Sequence, residues 1–400
     1  MHSCTFELPP DVIYVIITLE SAGYEAWAVG GCVRDGLLGR ACKDYDIASS
    51  CPPDKLSALF ERVVNTGEKY GTVTVLTPLR PVEVTVFRCD GDYSDGRHPE
   101  NVVHADSIMV DLSRRDFTVG AMAWHPERGL LDPYGGREDI GRRIIRAVGS
   151  PCERFGEDAL RILRAFRFSS SLDFDIEPET LAAAYELCPA LAAISAERVT
   201  SELKGILCGV RPQLVGDIIK NGGLSPSGGL LLKCGSDAGD ALLLSRLPDD
   251  FAVRMAGMTW LFCNGAPDAL FGCLRLDNKT VYTVRKLLKG MSMPFPANEA
   301  AMKRKFSDVP PELWRDILHL REVLNNENVS EIRGMFNNVT GHPWNRFMLA
   351  VSGDDVLAAG VPQSRVGKVI AALTERVIKC PEDNRRDVLI ELMEDFGGKL

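Results

Sequence analysis

Two carboxylates one residue apart, Asp44 and Asp46, follow a glycine pair, Gly30-Gly31, and an arginine, Arg34, in the stretch GGCVRDGLLGRACKDYDIA. On a β-strand, residues i and i+2 point to one face, so these carboxylates would lie side by side and repel. Keeping both ionised calls for a cation, and hard oxygen donors favour magnesium. A third carboxylate, Glu83, sits in the otherwise apolar run VEVTVF. If that run pairs beside the first strand, three carboxylates converge. Such a set suits two-metal phosphoryl transfer, in which the attacking oxygen is activated and the leaving one stabilised. Glycines after a strand let the backbone approach a ligand, and amides at a helix start favour phosphate. Arg34, one turn in, can reach the same phosphates. Two solvated aspartates and a plain strand-to-helix turn fit the same residues. The ordered set within 17 residues is far more specific than any member alone.

The elements that must position these residues can be read from periodicity. PPDVIYVIITLESAG has helical spacing and ends at Gly23. Trp27 to Val29 is a short apolar strand that stops at Gly30, and Tyr45 to Ala48 reads as a second strand. Pro53 to Glu61 suits a helix with proline in its first turn. TVTVLT (72–77) and VEVTVF (82–87) are β-branched runs around a proline-containing turn, which predicts a hairpin. CDGDYSDGRHPENV, which contains His98, reads as a loop, as does NGGLSPSGGLLL. The second has no Gly-Lys-Ser/Thr after its glycines, so it is a poor P-loop. From about Glu153 helical periodicity dominates, and the outline is an α+β head followed by an all-helical remainder.

Composition narrows the field. The chain has 400 residues, 45% hydrophobic and 25% charged, with a formal charge of -9. That length implies two to four domains with a sizeable core. The acidic balance argues weakly against a uniformly basic nucleic-acid binder but leaves room for a local basic stripe. The 12 cysteines form no C-x-x-C pair, which argues against a zinc ribbon and fits free thiols in a reducing cytoplasm. The start does not read as a signal peptide, and no apolar run approaches the roughly 20 residues that span a bilayer. No membrane association and no protein partner are expected.

GGCVRDGLLGRACKDYDIA resembles the active-site signature of class II nucleotidyltransferases, the family of bacterial CCA-adding enzymes and poly(A) polymerases. Further segments agree in order: RRDFTVGAMAW, DPYGGREDI, RFGEDALRILRAFRFSS, ISAERVTSELKGIL, LRLDNK and GVPQSRVGKVIAAL. The resemblance implies a mixed α/β head with a polymerase-β-like palm over 1–148, then a helical neck (149–210), body (211–330) and tail (331–400). It implies that Asp44 and Asp46 hold magnesium beside Glu83, and that Gly30, Gly31 and Arg34 contact a nucleoside triphosphate. Arg115 would bind nucleotide and Asp116 would sit near the ribose. Asp158 and Arg161 would present hydrogen bonds to the incoming base as a protein template, with Arg164 and Arg167 nearby.

Independently of the family, 157–172 has a buried helical face of Ile162, Leu163 and Phe166. Asp158, Arg161 and Arg164 form a separate charged row, which also fits a solvated face with salt bridges. The implied activity is template-independent addition of C, C and A from CTP and ATP to the 3′ end of tRNA, releasing pyrophosphate. Poly(A) or A-only addition shares the motifs, and a non-catalytic tRNA-binding relative stays open. Gly120 departs from the family, which usually has Asn there. The 89–102 loop favours addition of the terminal A, and Arg365, Lys368 and Arg376 are candidate tRNA contacts.

Overall fold

The computed structural model describes residues 6–42, 44–67, 71–90, 102–105, 107–222, 238–263, 265 and 267–399. His98 and the remainder of its loop at 91–101 lie outside the described residues, as does 223–232 of the second predicted loop. The chain divides into two compact units, Met1–Cys234 and Gly235–Leu400.

The first unit opens with α1 (Pro10–Ser21), which buries Val12, Val15, Ile16 and Leu19 at helical spacing. Then follow β1 (Ala26–Val29), α2 (Gly31–Leu37), β2 (Asp46–Ser49), α3 (Pro53–Leu59), β3 (Val63–Gly67), β4 (Thr72–Leu76) and β5 (Pro81–Val86). After them come β6 (Arg88–Asp90), β7 (Val102–His104), α4 (Ile108–Ser113), β8 (Ala123–His125) and β9 (Gly129–Leu131). One sheet runs in the order β3-β4-β5-β2-β1-β8-β9. The expected β4–β5 hairpin is present, with Thr72 opposite Thr85 and Leu76 opposite Pro81. β2 pairs in parallel with β5 and antiparallel with β1, so the two carboxylate-bearing runs are neighbours. Trp27, Val29, Ala48, Phe87, Ile108 and Leu112 form a core between the sheet and α4.

A helical layer completes this unit. After α5 (Gly136–Arg142) and β10 (Ile144–Ile145) come α6 (Pro151–Glu157), α7 (Leu160–Leu172), β11 (Asp175–Ile176), α8 (Pro178–Leu187), α9 (Ala196–Leu207) and α10 (Leu214–Lys220). The spacing predicts a single helix from about Glu157. The chain instead breaks at Asp158, with φ -148° and ψ 106°, between α6 and α7. The Asp158 side chain competes with the helix backbone by accepting from the Leu160 amide at 3.0 Å. Ile162, Leu163 and Phe166 are fully buried as their spacing predicts, each contributing about 1.5–3 kcal/mol. The two-residue parallel pair β10–β11 had no β-branched run long enough to announce it.

In the second unit every described element is helical: α11 (Ala238–Ala241), α12 (Phe251–Cys263), α13 (Pro267–Cys273), α14 (Asn278–Ser292), α15 (Glu299–Lys305), α16 (Trp314–Asn325), α17 (Ser330–Val339), α18 (Gly353–Ala358), α19 (Gln363–Lys379) and α20 (Arg386–Lys399), besides short 3-10 turns. Val356, Val369, Leu373, Val377, Leu389 and Met393 pack α18, α19 and α20 together. Arg365, Lys368 and Arg376 are exposed on α19, and Arg376 engages Asp383 at 2.5 Å. Among the described residues no helix is long and apolar enough to cross a membrane.

Candidate active site

Backbone conformation favours glycine at Gly30. Its φ of +72° lies in the left-handed region, and a Cβ there would stand 2.9 Å from Arg115 Nη1. Gly31 then opens α2, which carries Arg34 with its guanidinium 2.8 Å from Asp35. Because β1 ends at Val29, the pairing of β2 on that side ends at Asp46, opposite Val29. On the other side Asp46 stands in register with Glu83 of β5. Burial pushes the Asp46 carboxyl up, and the like charge of Glu83 adds to that against the pull of Arg115. Asp44 is exposed and lies just ahead of β2, not within it. The same-face argument for Asp44 and Asp46 therefore does not hold as a strand argument. Among the described residues no group of three His, Cys, Asp or Glu side chains is arranged to hold a metal ion. The donor chemistry of Asp46 and Glu83, two carboxylates at one register, nevertheless fits a divalent cation.

Behind the glycine turn, the arginines of RRDFT are held by one carboxylate. Asp111, 1% exposed, accepts from Arg114 at 2.8 Å and from Arg115 at 2.9 Å. Burial alone would raise its pKa, but Arg115 and Arg114 outweigh it and hold the carboxyl below its ordinary range. Arg115 also donates to the Gly120 carbonyl at 3.3 Å. A Cβ at Gly120 would find its nearest neighbour, Asp116 Oδ1, at 3.8 Å, so the position has room for a side chain. Asp116 accepts from Arg164 of α7 at 2.6 Å. Burial of Asp116 is again outweighed, here by Arg164, and its pKa is lowered.

The helical wall is built from ion pairs. Arg161 donates to Glu157 and, at 3.1 Å, to the Arg154 carbonyl. The second oxygen of Asp158 accepts from Arg198 of α9 at 2.6 Å. Arg167 reaches Glu202 of α9 at 2.5 Å.

These elements enclose a cavity of about 490 Å³. Gly30, Gly31, Arg34, Asp46, Glu83, Arg115, Asp116, Asp158, Arg161 and Arg164 line it, whereas Asp44 and Arg167 do not. Its walls carry seven arginines against four carboxylates, a field suited to a polyanion. Sequence reasoning missed Arg88, Arg114, Phe168 and Arg198 in this lining. Three of them lie in segments quoted above for their family resemblance, but nothing local distinguishes their side chains from surface charge or core. Arg88 directly follows the β5 run, where only the sheet's neighbours reveal its direction.

The CCA-adding enzyme of Enterococcus faecalis is 33% identical over 401 residues, covering 96% of this chain and 95% of that protein. This chain belongs to the CCA-adding enzyme family. The family's Geobacillus stearothermophilus member is 47% identical over 203 residues, half of each chain. A Poly A polymerase head domain matches residues 26–146, and a probable RNA and SrmB-binding site of polymerase A matches 173–223. Among solved structures, the Bacillus stearothermophilus CCA-adding enzyme in complex with CTP superimposes with a TM-score of 0.80 at 29% identity, covering 98% of this chain and 99% of that one. The mixed head and helical remainder are therefore the family's architecture, and the chain is a nucleotidyltransferase.

Proposed function

We propose that the 490 Å³ cavity is where this CCA-adding nucleotidyltransferase joins CTP and ATP to the 3′ end of tRNA, releasing pyrophosphate. The observation that carries this reading is the meeting of Asp46 and Glu83 with an arginine-rich wall around one glycine turn. Asp46, Glu83 and, from its exposed position, Asp44 would hold magnesium. Bound there, the ion would neutralise triphosphate charge and make the attacking hydroxyl more acidic. Gly30 and Gly31 give the triphosphate close backbone approach, and Arg34 and Arg115 balance its charge. The tRNA 3′-oxygen attacks the α-phosphorus and pyrophosphate leaves, so the protein's part is positioning and electrostatics. Asp116, pinned by Arg164, is placed to accept from the ribose. Asp158 and Arg161 read the base edge, one as acceptor and one as donor, and Arg164 beside them contacts the nucleotide's phosphates.

Arg167 supports this reading indirectly, through Glu202 and the Phe168 ring beneath its guanidinium, because it does not line the cavity. The finer division into neck, body and tail, tRNA contact through Arg365, Lys368 and Arg376, and a cytoplasmic location belong to the same proposal. tRNA would be recognised by shape and phosphate contacts more than by sequence.

The test supplies magnesium, CTP or ATP, and tRNA transcripts ending before CCA, after C, or after CC. Incorporation on all three is expected. Growth on CC-ended tRNA alone would indicate A addition, and long A tails a poly(A) polymerase. No product on any transcript, with tRNA still bound, would leave the non-catalytic reading.

A further inference from the structure

Phe168 of α7 lies in the cavity wall, and three guanidinium groups crowd its ring. The Cζ atoms of Arg167, Arg34 and Arg164 stand 4.1, 5.3 and 5.5 Å from the ring centroid. Each of these arginines also has a carboxylate, and the three carboxylates come from three places in the fold: Asp35 on Arg34 at 2.8 Å, Asp116 on Arg164 at 2.6 Å, Glu202 on Arg167 at 2.5 Å. A carboxylate fixes one edge of a guanidinium but leaves its plane free to rock. A ring face supplies the second restraint, because its negative quadrupole attracts the cation and its flat surface sets the plane. The ring is itself held, packing edge-on against fully buried Phe117 with centroids 5.7 Å apart. An aliphatic residue there would offer the guanidinium groups no such attraction.

We infer that Phe168 is a positioning residue for the nucleotide, presetting the planes of Arg34 and Arg164 before the triphosphate arrives. This rests on the proposed contact of those two arginines with nucleotide. Phe168 touches neither the reacting atoms nor the carboxylates at Asp46 and Glu83 in this account. Its loss should weaken nucleotide binding and leave the chemical step alone. CTP and ATP should suffer equally, because the base-reading pair Asp158 and Arg161 is not among the groups on the ring.

The experiment measures KM and kcat for CTP and ATP in the full chain with Phe168→Leu, Phe168→Tyr and Phe168 replaced by fluorinated phenylalanines, alongside Arg164→Gln. Fluorination drains the ring quadrupole while nearly preserving shape. For Phe168→Leu, KM should rise by about 3- to 10-fold for both nucleotides, with kcat within about 2-fold of native. Phe168→Tyr should stay near native, and KM should climb stepwise with fluorine number at unchanged Tm. Native KM across the fluorinated series would overturn the inference, as would a fall in kcat with KM unchanged. If Arg164→Gln also leaves KM unchanged, the nucleotide contact itself is wrong. If Arg164→Gln raises KM while the fluorinated series stays flat, only the role of the ring fails.

Discussion

On the strand side of the cavity, Asp46 and Glu83 are like charges placed at the same register of two parallel neighbours. On the helix side, Arg161, Arg164 and Arg198 each meet a carboxylate: Glu157, which Arg154 shares, Asp116 and Asp158. The two sides therefore use charge oppositely. The strand side holds Asp46 in a charged state that its burial and the like charge of Glu83 disfavour, which the arrival of cationic charge would relieve. The helix side is already paired, so one edge of each guanidinium is fixed before any ligand binds, and less reorganisation remains for the moment of reaction. This difference suggests a division of labour, with chemistry on the strands and nucleotide choice on the helices.

The most severe way to break the comparison is Asp46→Asn. Turnover should fall by about 10³-fold or more, as for other removals of a centrally placed charge. Because the native carboxylate is disfavoured by its surroundings, Tm should hold or rise. A drop in Tm would mean that Asp46 is a structural partner like those on the helix side. Asp116→Asn should behave in the opposite way. It strips Arg164 of its counter-charge and should cost about 1–3 kcal/mol of stability, since Arg164 is partly exposed, together with a rise in nucleotide KM. Chemical denaturation gives the first quantity and steady-state kinetics the second.

The smallest effect is on pH. Asp111 and Asp116 both have folded pKa values below the ordinary aspartate value of about 3.9. Their contribution to stability is fully present above that value and is lost as pH falls through the depressed folded values. Native protein should thus lose Tm more steeply below about pH 4 than Asp111→Asn does. Equal slopes would remove Asp111 from the account.

What could be read from the sequence follows from the range of the forces involved. Alternation and β-branching located β4 and β5, and the 3.6-residue spacing of Ile162, Leu163 and Phe166 found the buried face of α7, because these patterns report local burial. The break at Asp158 was not legible, because it depends on one side chain capping Leu160 while also receiving Arg198 from 40 residues away. Likewise, the register of Glu83 against Asp46 was only conditional until the sheet order was known. Arg88 and Arg198 join the cavity through tertiary packing alone. Asp44 and Arg167 show the converse, since their sequence neighbours line the cavity and they do not. Proximity in a motif did not translate into a shared wall where the strand began only at Asp46, beyond Asp44, or the helix face turned toward Glu202.

The division of labour is tested most directly by the ratio of kcat/KM for CTP to that for ATP. It should be measured on tRNA ending before CCA and after CC, in native protein, Asp46→Asn and Arg161→Ala. The account predicts that Asp46→Asn lowers both rate constants together and keeps the ratio, whereas Arg161→Ala moves the ratio by about 10-fold or more. A ratio shifted by Asp46→Asn, or left unchanged by Arg161→Ala, would contradict it.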